Sequence, residues 1–318
     1  MSAAGVGEKV GFSPENRALG AAARGLPSGL PRRNPVVRSI AVANQKGGVG
    51  KTTTSVNLAC ALARAGRTVC LVDLDPQAHA TLHAGVQPAQ APASAFDVLT
   101  GGLPLAAATV QATDRLWVVP AHIDLSAVDM ALAGIAGRET ILRQRIATDD
   151  RCMGRAAAGA AFDYMIVDCP PSLGLLSLNA LAAVDEVLLP LQPHFLALHG
   201  LSKLLETIEL VATHVHPGLR LLGVVLCLYE SGTRLAAEIG RDVETFLRTV
   251  ERPHPAWRDA RVFASRIRRN VRLAEAPSFG QSIFDYAPDS HGAADYAALA
   301  AEIDESASAV VDRERHAA

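Results

Sequence analysis

Three things are missing from this sequence of 318 residues, and each absence closes off a class of function. There is no excess of one charge: 30 Lys and Arg stand against 32 Asp and Glu, for a formal net charge of −2. Contact with an anionic polymer must therefore come from a local basic patch, with acid elsewhere on the surface. Cysteine is sparse and unpatterned. Cys60, Cys70, Cys152, Cys169 and Cys227 form no Cys-x-x-Cys pair and have no histidine at metal-ligand spacing. That excludes a disulfide framework and reads as small buried side chains in a reducing compartment. Long apolar runs are also lacking. The apolar uncharged stretch 169–184 falls short of the roughly 20 apolar residues that span a bilayer. The first residues have no continuous apolar core of the secretory kind. The expectation is a soluble, cytoplasmic chain without internal repeats.

What is present is apolar material in alternating blocks, 49% of the residues, enough for one large α/β core. Residues 1–35 mix Gly, Pro, Ala and Arg without a sustained period and read as a flexible N-terminal arm. Residues 36–306 carry the domain, and 307–318 read as a C-terminal tail. Within the domain, 39–43, 68–74, 116–119, 164–167, 186–191, 221–228 and 261–265 read as strands. Helical patterns lie between them, clearest at 51–65, 199–215 and 234–249, with Gly66 where a helix-ending glycine belongs. Strand, turn, helix and strand over 39–74 make a βαβ unit, which forces parallel strands and a right-handed crossover. Near-continuous Val, Leu and Ile runs fit strands buried on both faces. The fold predicted is a mostly parallel sheet flanked by helices on both faces. Residues 84–112, rich in Ala, Pro and Gly, fit neither period.

The chemistry concentrates in Lys46-Gly47-Gly48-Val49-Gly50-Lys51-Thr52-Thr53, directly after a strand and opening a helix. Glycines let backbone N–H groups turn inward and approach phosphate oxygens closely, and the helix N-terminus adds partial positive charge. Lys51 is suited to the β- and γ-phosphates, and the Thr52 hydroxyl to Mg²⁺. The strict Gly-x-x-x-x-Gly-Lys-Thr form is not met, because Gln45 holds the first glycine position and Lys46 precedes the two glycines. This is the deviant Walker A form of the P-loop, the phosphate loop of nucleoside triphosphatases. Two more strand ends carry acids, in Val72-Asp73-Leu74-Asp75-Pro76-Gln77 and in Ile166-Val167-Asp168-Cys169-Pro170-Pro171. A carboxylate at the C-terminal end of a parallel strand beside such a loop can hold a magnesium water or orient an attacking water.

Taken together, 44–54, Asp73-Leu74-Asp75-Pro76-Gln77, 168–174 and 270–278 resemble the ParA/Soj chromosome-partitioning ATPases, over about 38–305. The resemblance implies ATP and Mg²⁺ as cofactors and a homodimer that sandwiches two nucleotides. Lys46 would cross to the partner's phosphates and Asp75 would position the hydrolytic water. Asp168 would hold Mg²⁺ through water, and Asn270 would lie against the adenine. It further implies slow ATP hydrolysis, stimulated by a ParB-type centromere-binding partner, and nucleoid association through non-specific duplex DNA. Three departures stand out. The usual Pro-Arg-Asn reads Arg268-Arg269-Asn270, and Asp-Pro-Gln-Gly-Asn reads Asp75-Pro76-Gln77-Ala78-His79. Where the family has Glu-Tyr-Tyr-Ala-Leu-Glu-Gly, this chain has His194-Phe195-Leu196-Ala197-Leu198-His199-Gly200. Two acids have thus become histidines, a pair that invites a metal or pH-sensing reading.

Arg261, Arg266, Arg268, Arg269 and Arg272 crowd one short stretch, which suits phosphate contacts without base readout or, equally, a solvated face paired to local acids. The resemblance assigns DNA contact to Arg272 and, in looser register, to Arg234, and Arg269 of the cluster joins them as a candidate DNA contact. Other relatives of the same loop keep further readings open. A MinD-like positioning ATPase would need a membrane-inserting basic helix, but 303–315 is acidic and alanine-rich, and no membrane partner is expected. An iron–sulfur electron donor would need two seam cysteines, and Cys169 offers one. An ATPase regulator of polysaccharide machinery shares the fold and is not separated by it.

Overall fold

The computed structural model describes residues 37–157, 161–194, 197–249 and 254–317. The expected N-terminal arm, 1–35, lies outside the described residues. Eight strands form one sheet: β1 (Arg38–Val42), β2 (Val69–Asp73), β3 (Val110–Thr113), β4 (Leu116–Val119), β5 (Tyr164–Asp168), β6 (Glu186–Leu191), β7 (Arg220–Tyr229) and β8 (Arg261–Arg268). Their order is β3-β4-β2-β5-β1-β6-β7-β8. Every pairing is parallel except β3 with β4; β4 is read as a strand from the sequence, and the edge strand β3 begins in the stretch the sequence pattern leaves unassigned.

The central strands show why the sheet is covered twice. All five residues of β2 and all five of β5 are buried, and successive side chains enter opposite cores. Cys70, Val72, Met165 and Val167 join one core, under the helix Ile141–Thr148 and helices α2 (Leu175–Ala183), α3 (Ala197–His214) and α4 (Arg234–Thr249). Val69, Leu71, Tyr164 and Ile166 join the other, under helices α1 (Lys51–Arg64) and α5 (His291–Ala317). Each fully buried aliphatic side chain contributes about 1.5–3 kcal/mol, so the two layers supply the main driving force.

Helix α1 is buried from Thr54 to Ala63 because β-strands lie under it and α5 lies over it. It ends at Arg64 with Ala65 as its cap, and Gly66 follows in the left-handed region at φ 91°, as the sequence predicts. Polar contacts add to its apolar packing against the last third of the chain. The Thr54 hydroxyl lies 3.1 Å from the Tyr296 hydroxyl, and Asn57 Oδ1 accepts the Ile283 N–H at 2.8 Å. Helix α5 runs continuously to Ala317, through residues that the sequence pattern sets apart as a tail. No helix among the described residues is long and apolar enough to cross a membrane. All five cysteines are buried and unpaired with one another, and burial pushes the thiols of Cys60, Cys70, Cys169 and Cys227 up.

Candidate nucleotide site

β2, β5 and β1 are neighbours, so their C-terminal ends open onto one crevice. The loop after β1 turns through Gly48 at φ 73° and Gly50 at φ 91°, both left-handed, with Val49 buried between them. Gly50 caps α1 without any side-chain cap, so the first N–H groups of α1, at Lys51, Thr52 and Thr53, are left for an anion. A side chain added at Gly47 or Gly48 would meet nothing within 4 Å, the open face a phosphate chain requires. Lys51 is buried, and its Nζ donates to the Lys46 carbonyl at 3.0 Å. Burial holds the Lys51 ammonium below the ordinary lysine value, opposed by the charges of Asp168, Cys169 and Asp75.

The acids are arranged around this loop. Asp73 and Asp168 are direct register partners on β2 and β5, and both are fully buried. Asp168 accepts the Thr52 hydroxyl at 2.8 Å and the Ser55 hydroxyl at 2.6 Å. Asp73 accepts the Thr81 hydroxyl at 2.7 Å, the Thr81 N–H at 2.8 Å and the Asp75 N–H at 3.1 Å. Burial, and for Asp168 the adjacent Asp73, push both carboxyls above the ordinary range, while these donors pull them back. A divalent cation at Thr52 and Asp168 would relieve that crowding of acids, so the residues fit Mg²⁺. Asp75 is part exposed, and its Oδ1 accepts the Gln77 N–H at 3.0 Å.

The turn after Asp75 holds a non-glycine residue in the left-handed region. Ala78 sits at φ 54°, ψ 28°, and its N–H donates to the Asp75 carbonyl at 2.8 Å. The Arg268 substitution also has a place. Its guanidinium binds Asp295 on α5 at 2.6 Å, an ion pair that a proline could not make. Asn270 Oδ1 is taken by the Arg272 N–H at 2.9 Å, capping the short helix Val271–Glu275.

The arginine cluster divides. Arg261, Arg266 and Arg268 turn toward the protein, over Phe263, onto the Tyr229 hydroxyl and onto Asp295. Arg269 and Arg272 are exposed, paired to Glu230 at 2.8 Å and Glu275 at 2.9 Å, and Glu251 lies outside the described residues. Arg234 is exposed at the start of α4, four residues after Glu230. The Arg269 N–H donates to the Tyr229 carbonyl, which brings Arg234 and Arg269 to the same end of β7 and β8. The histidine pair forms no metal cluster among the described residues, and the His199 side chain lies outside them. Cys169 is buried beside Asp168.

Sequence reasoning passed over Asn44, Ser55 and Thr81. Ser55 follows Thr52 by three residues on one helix, a spacing that places both hydroxyls on the same face. Asn44 and Thr81 act through contacts to Pro190, Asp73 and Ala121 that no local spacing announces.

Comparison with known proteins agrees with this geometry. The AAA domain family model matches residues 37–221. The sporulation initiation inhibitor protein Soj of Bacillus subtilis is 40% identical over 268 residues, 83% of this chain and 97% of that protein. The chromosome-partitioning ATPase Soj of Thermus thermophilus is 43% identical over 267 residues, 84% of this chain and 95% of that protein. The crystal structure of a protein named cobyrinic acid a,c-diamide synthase from Mycobacterium smegmatis, with bound ATP analogue and magnesium, superposes with a TM-score of 0.66. It is 37% identical and covers 83% of this chain and 92% of its own. MinD of Pyrococcus horikoshii with Mg-ADP, 24% identical with a TM-score of 0.64 over 85% of this chain and 97% of its own, shares the fold.

Proposed function

The chain belongs to the family of Soj and ParA chromosome-partitioning ATPases, and from that premise we propose that it drives DNA partition by an ATP-gated cycle of dimerisation and non-specific DNA binding. The observation that carries this reading is the meeting of the glycine loop, Lys51, Thr52 and Asp168 at the crevice where three parallel strands end. Gly47, Gly48, Val49, Gly50, Lys51, Thr52 and Thr53 enclose the phosphates. Mg²⁺ would be held by Thr52 and, through water, by Asp168, and bound there it neutralises phosphate charge. Asp75 positions the attacking water, and Asn270 lies against the adenine with its amide nitrogen.

Lys46 is exposed, and its Nζ contacts His194, which lies outside the phosphate loop. That supports its use on the phosphates of a second copy, where positive charge stabilises the transition state only after pairing. Arg234, Arg269 and Arg272 form the DNA surface. Glu230 and Glu275, the acidic partners of Arg269 and Arg272, are exposed, and ion pairs of that kind are weak and easily exchanged for phosphate. Two such surfaces in one dimer act at raised effective concentration, so DNA affinity follows nucleotide. A ParB-type protein bound at a centromere-like site speeds hydrolysis and resets the cycle.

The test is binding to a random-sequence duplex without nucleotide and with ADP, ATP or a slowly hydrolysed analogue, at two salt concentrations, beside anionic vesicles. ATP-dependent, salt-sensitive DNA binding with no vesicle binding is expected. ATP-dependent vesicle binding without DNA binding would replace this reading with a MinD-like one.

A further inference from the structure

Lys46 is held by its own subunit. Its Nζ lies 2.6 Å from His194 Nε2. Its backbone is fixed on both sides, the N–H donating to Asn44 Oδ1 at 3.0 Å and the carbonyl accepting Lys51 Nζ at 3.0 Å. His194 comes three residues after β6 ends, and its carbonyl accepts the Ala197 N–H at 2.9 Å, at the first residue of α3. Asn44 Nδ2 donates to the Pro190 carbonyl within β6 at 2.7 Å. Residues 44 and 46 are thus fastened to one short segment, 190–194, by a buried amide and by the lysine–histidine contact.

An ammonium can only donate, so at this distance the ring nitrogen must present its lone pair. Burial, and then the Lys46 charge, hold the His194 ring below the ordinary histidine value, which favours the accepting form near neutral pH. The contact is therefore a neutral acceptor on a cation. A glutamate at the same position would form an ion pair and hold the lysine more firmly, and a side chain without an acceptor would not hold it.

We propose that His194 is a positioning residue for Lys46: it keeps the lysine on its own subunit before pairing, and the strength of this hold sets how readily a second copy captures it. The proposal rests on the reading that Lys46 serves the phosphates of a second copy. Capture draws only on the released fraction of Lys46, so a tighter hold weakens pairing in proportion. A symmetric dimer needs two releases. A change of roughly threefold per lysine therefore becomes roughly ninefold in the dimer dissociation constant.

The experiment uses the full chain with a slowly hydrolysed ATP analogue and Mg²⁺, and measures the dimer dissociation constant by sedimentation. Four forms are compared: the unaltered chain, His194→Ala, His194→Gln and His194→Glu, each first shown to bind fluorescent ATP as the unaltered chain does. Pairing is expected to tighten roughly ninefold in His194→Ala and to weaken by a similar factor in His194→Glu. In His194→Gln, which restores a neutral acceptor, it is expected to stay within about twofold of the unaltered chain. A purely structural role would move all three in one direction. That result, or no movement in any, overturns the proposal. Lys46→Ala is run alongside for turnover and pairing. If it matches the unaltered chain in both, the underlying reading of Lys46 fails. If it loses turnover while the His194 series stays flat, only the role of His194 fails.

Discussion

At the scale of single residues, the departures from the family pattern become physical statements. Ala78 stands where relatives carry glycine and still adopts φ 54°. A left-handed L-residue costs about 1–2 kcal/mol, so the loop behind Asp75 is kept at the expense of stability. Glycine removes that strain and adds unfolded-state entropy worth about 0.4–1 kcal/mol. Ala78→Gly is therefore expected to stabilise the nucleotide-free chain by about 0.5–1 kcal/mol in a denaturant titration. Arg268 illustrates a substitution with a new partner, since its fork fits Asp295 on α5.

At the scale of elements, the short helix His79–His83 follows the Asp75 turn and ends in a buried histidine. His83 Nε2 has no hydrogen-bond partner among the described residues, and burial pushes the ring down to about 4, with a backbone contact to Gln281 partly offsetting this. The folded chain thus keeps His83 neutral where the unfolded chain, with an ordinary value near 6.5, takes up a proton. Stability from this group is intact above about pH 6.5 and falls as pH drops to about 4, by up to about 3 kcal/mol. His83→Gln should flatten that part of the curve when urea midpoints are compared from pH 7.5 to 4.5. An equally steep fall in the variant would assign the acid sensitivity elsewhere. Elements also decide what the sequence can reveal. β2 and β5 are legible because burial on both faces makes every residue apolar up to the closing aspartate. β3 is not, because Val110–Thr113 alternates half-buried with exposed residues on an antiparallel edge and lacks a continuous apolar run. The glycine loop and both strand-end acids are local patterns and could be read directly. The Lys46–His194 contact joins residues 148 apart in sequence and arises only because β6 lies beside β1.

At the scale of the whole molecule, the proposed DNA binding by a chain with net charge −2 requires a confined basic edge. Arg272→Ala should weaken duplex binding for every sequence alike and lower the slope of log affinity against log salt by about 0.9 per lost phosphate contact. ATP binding should be unchanged, because Arg272 is exposed and paired to Glu275. An unaltered salt slope would move the DNA surface away from this edge. The five sealed thiols also make the protein a convenient object for optical work. Buried and, for four of them, held in the unreactive protonated form, they offer little to a maleimide. One cysteine introduced at a solvent-facing position such as Met130 would then take a single dye without prior removal of the native five, so that pairing and DNA residence can be followed one molecule at a time.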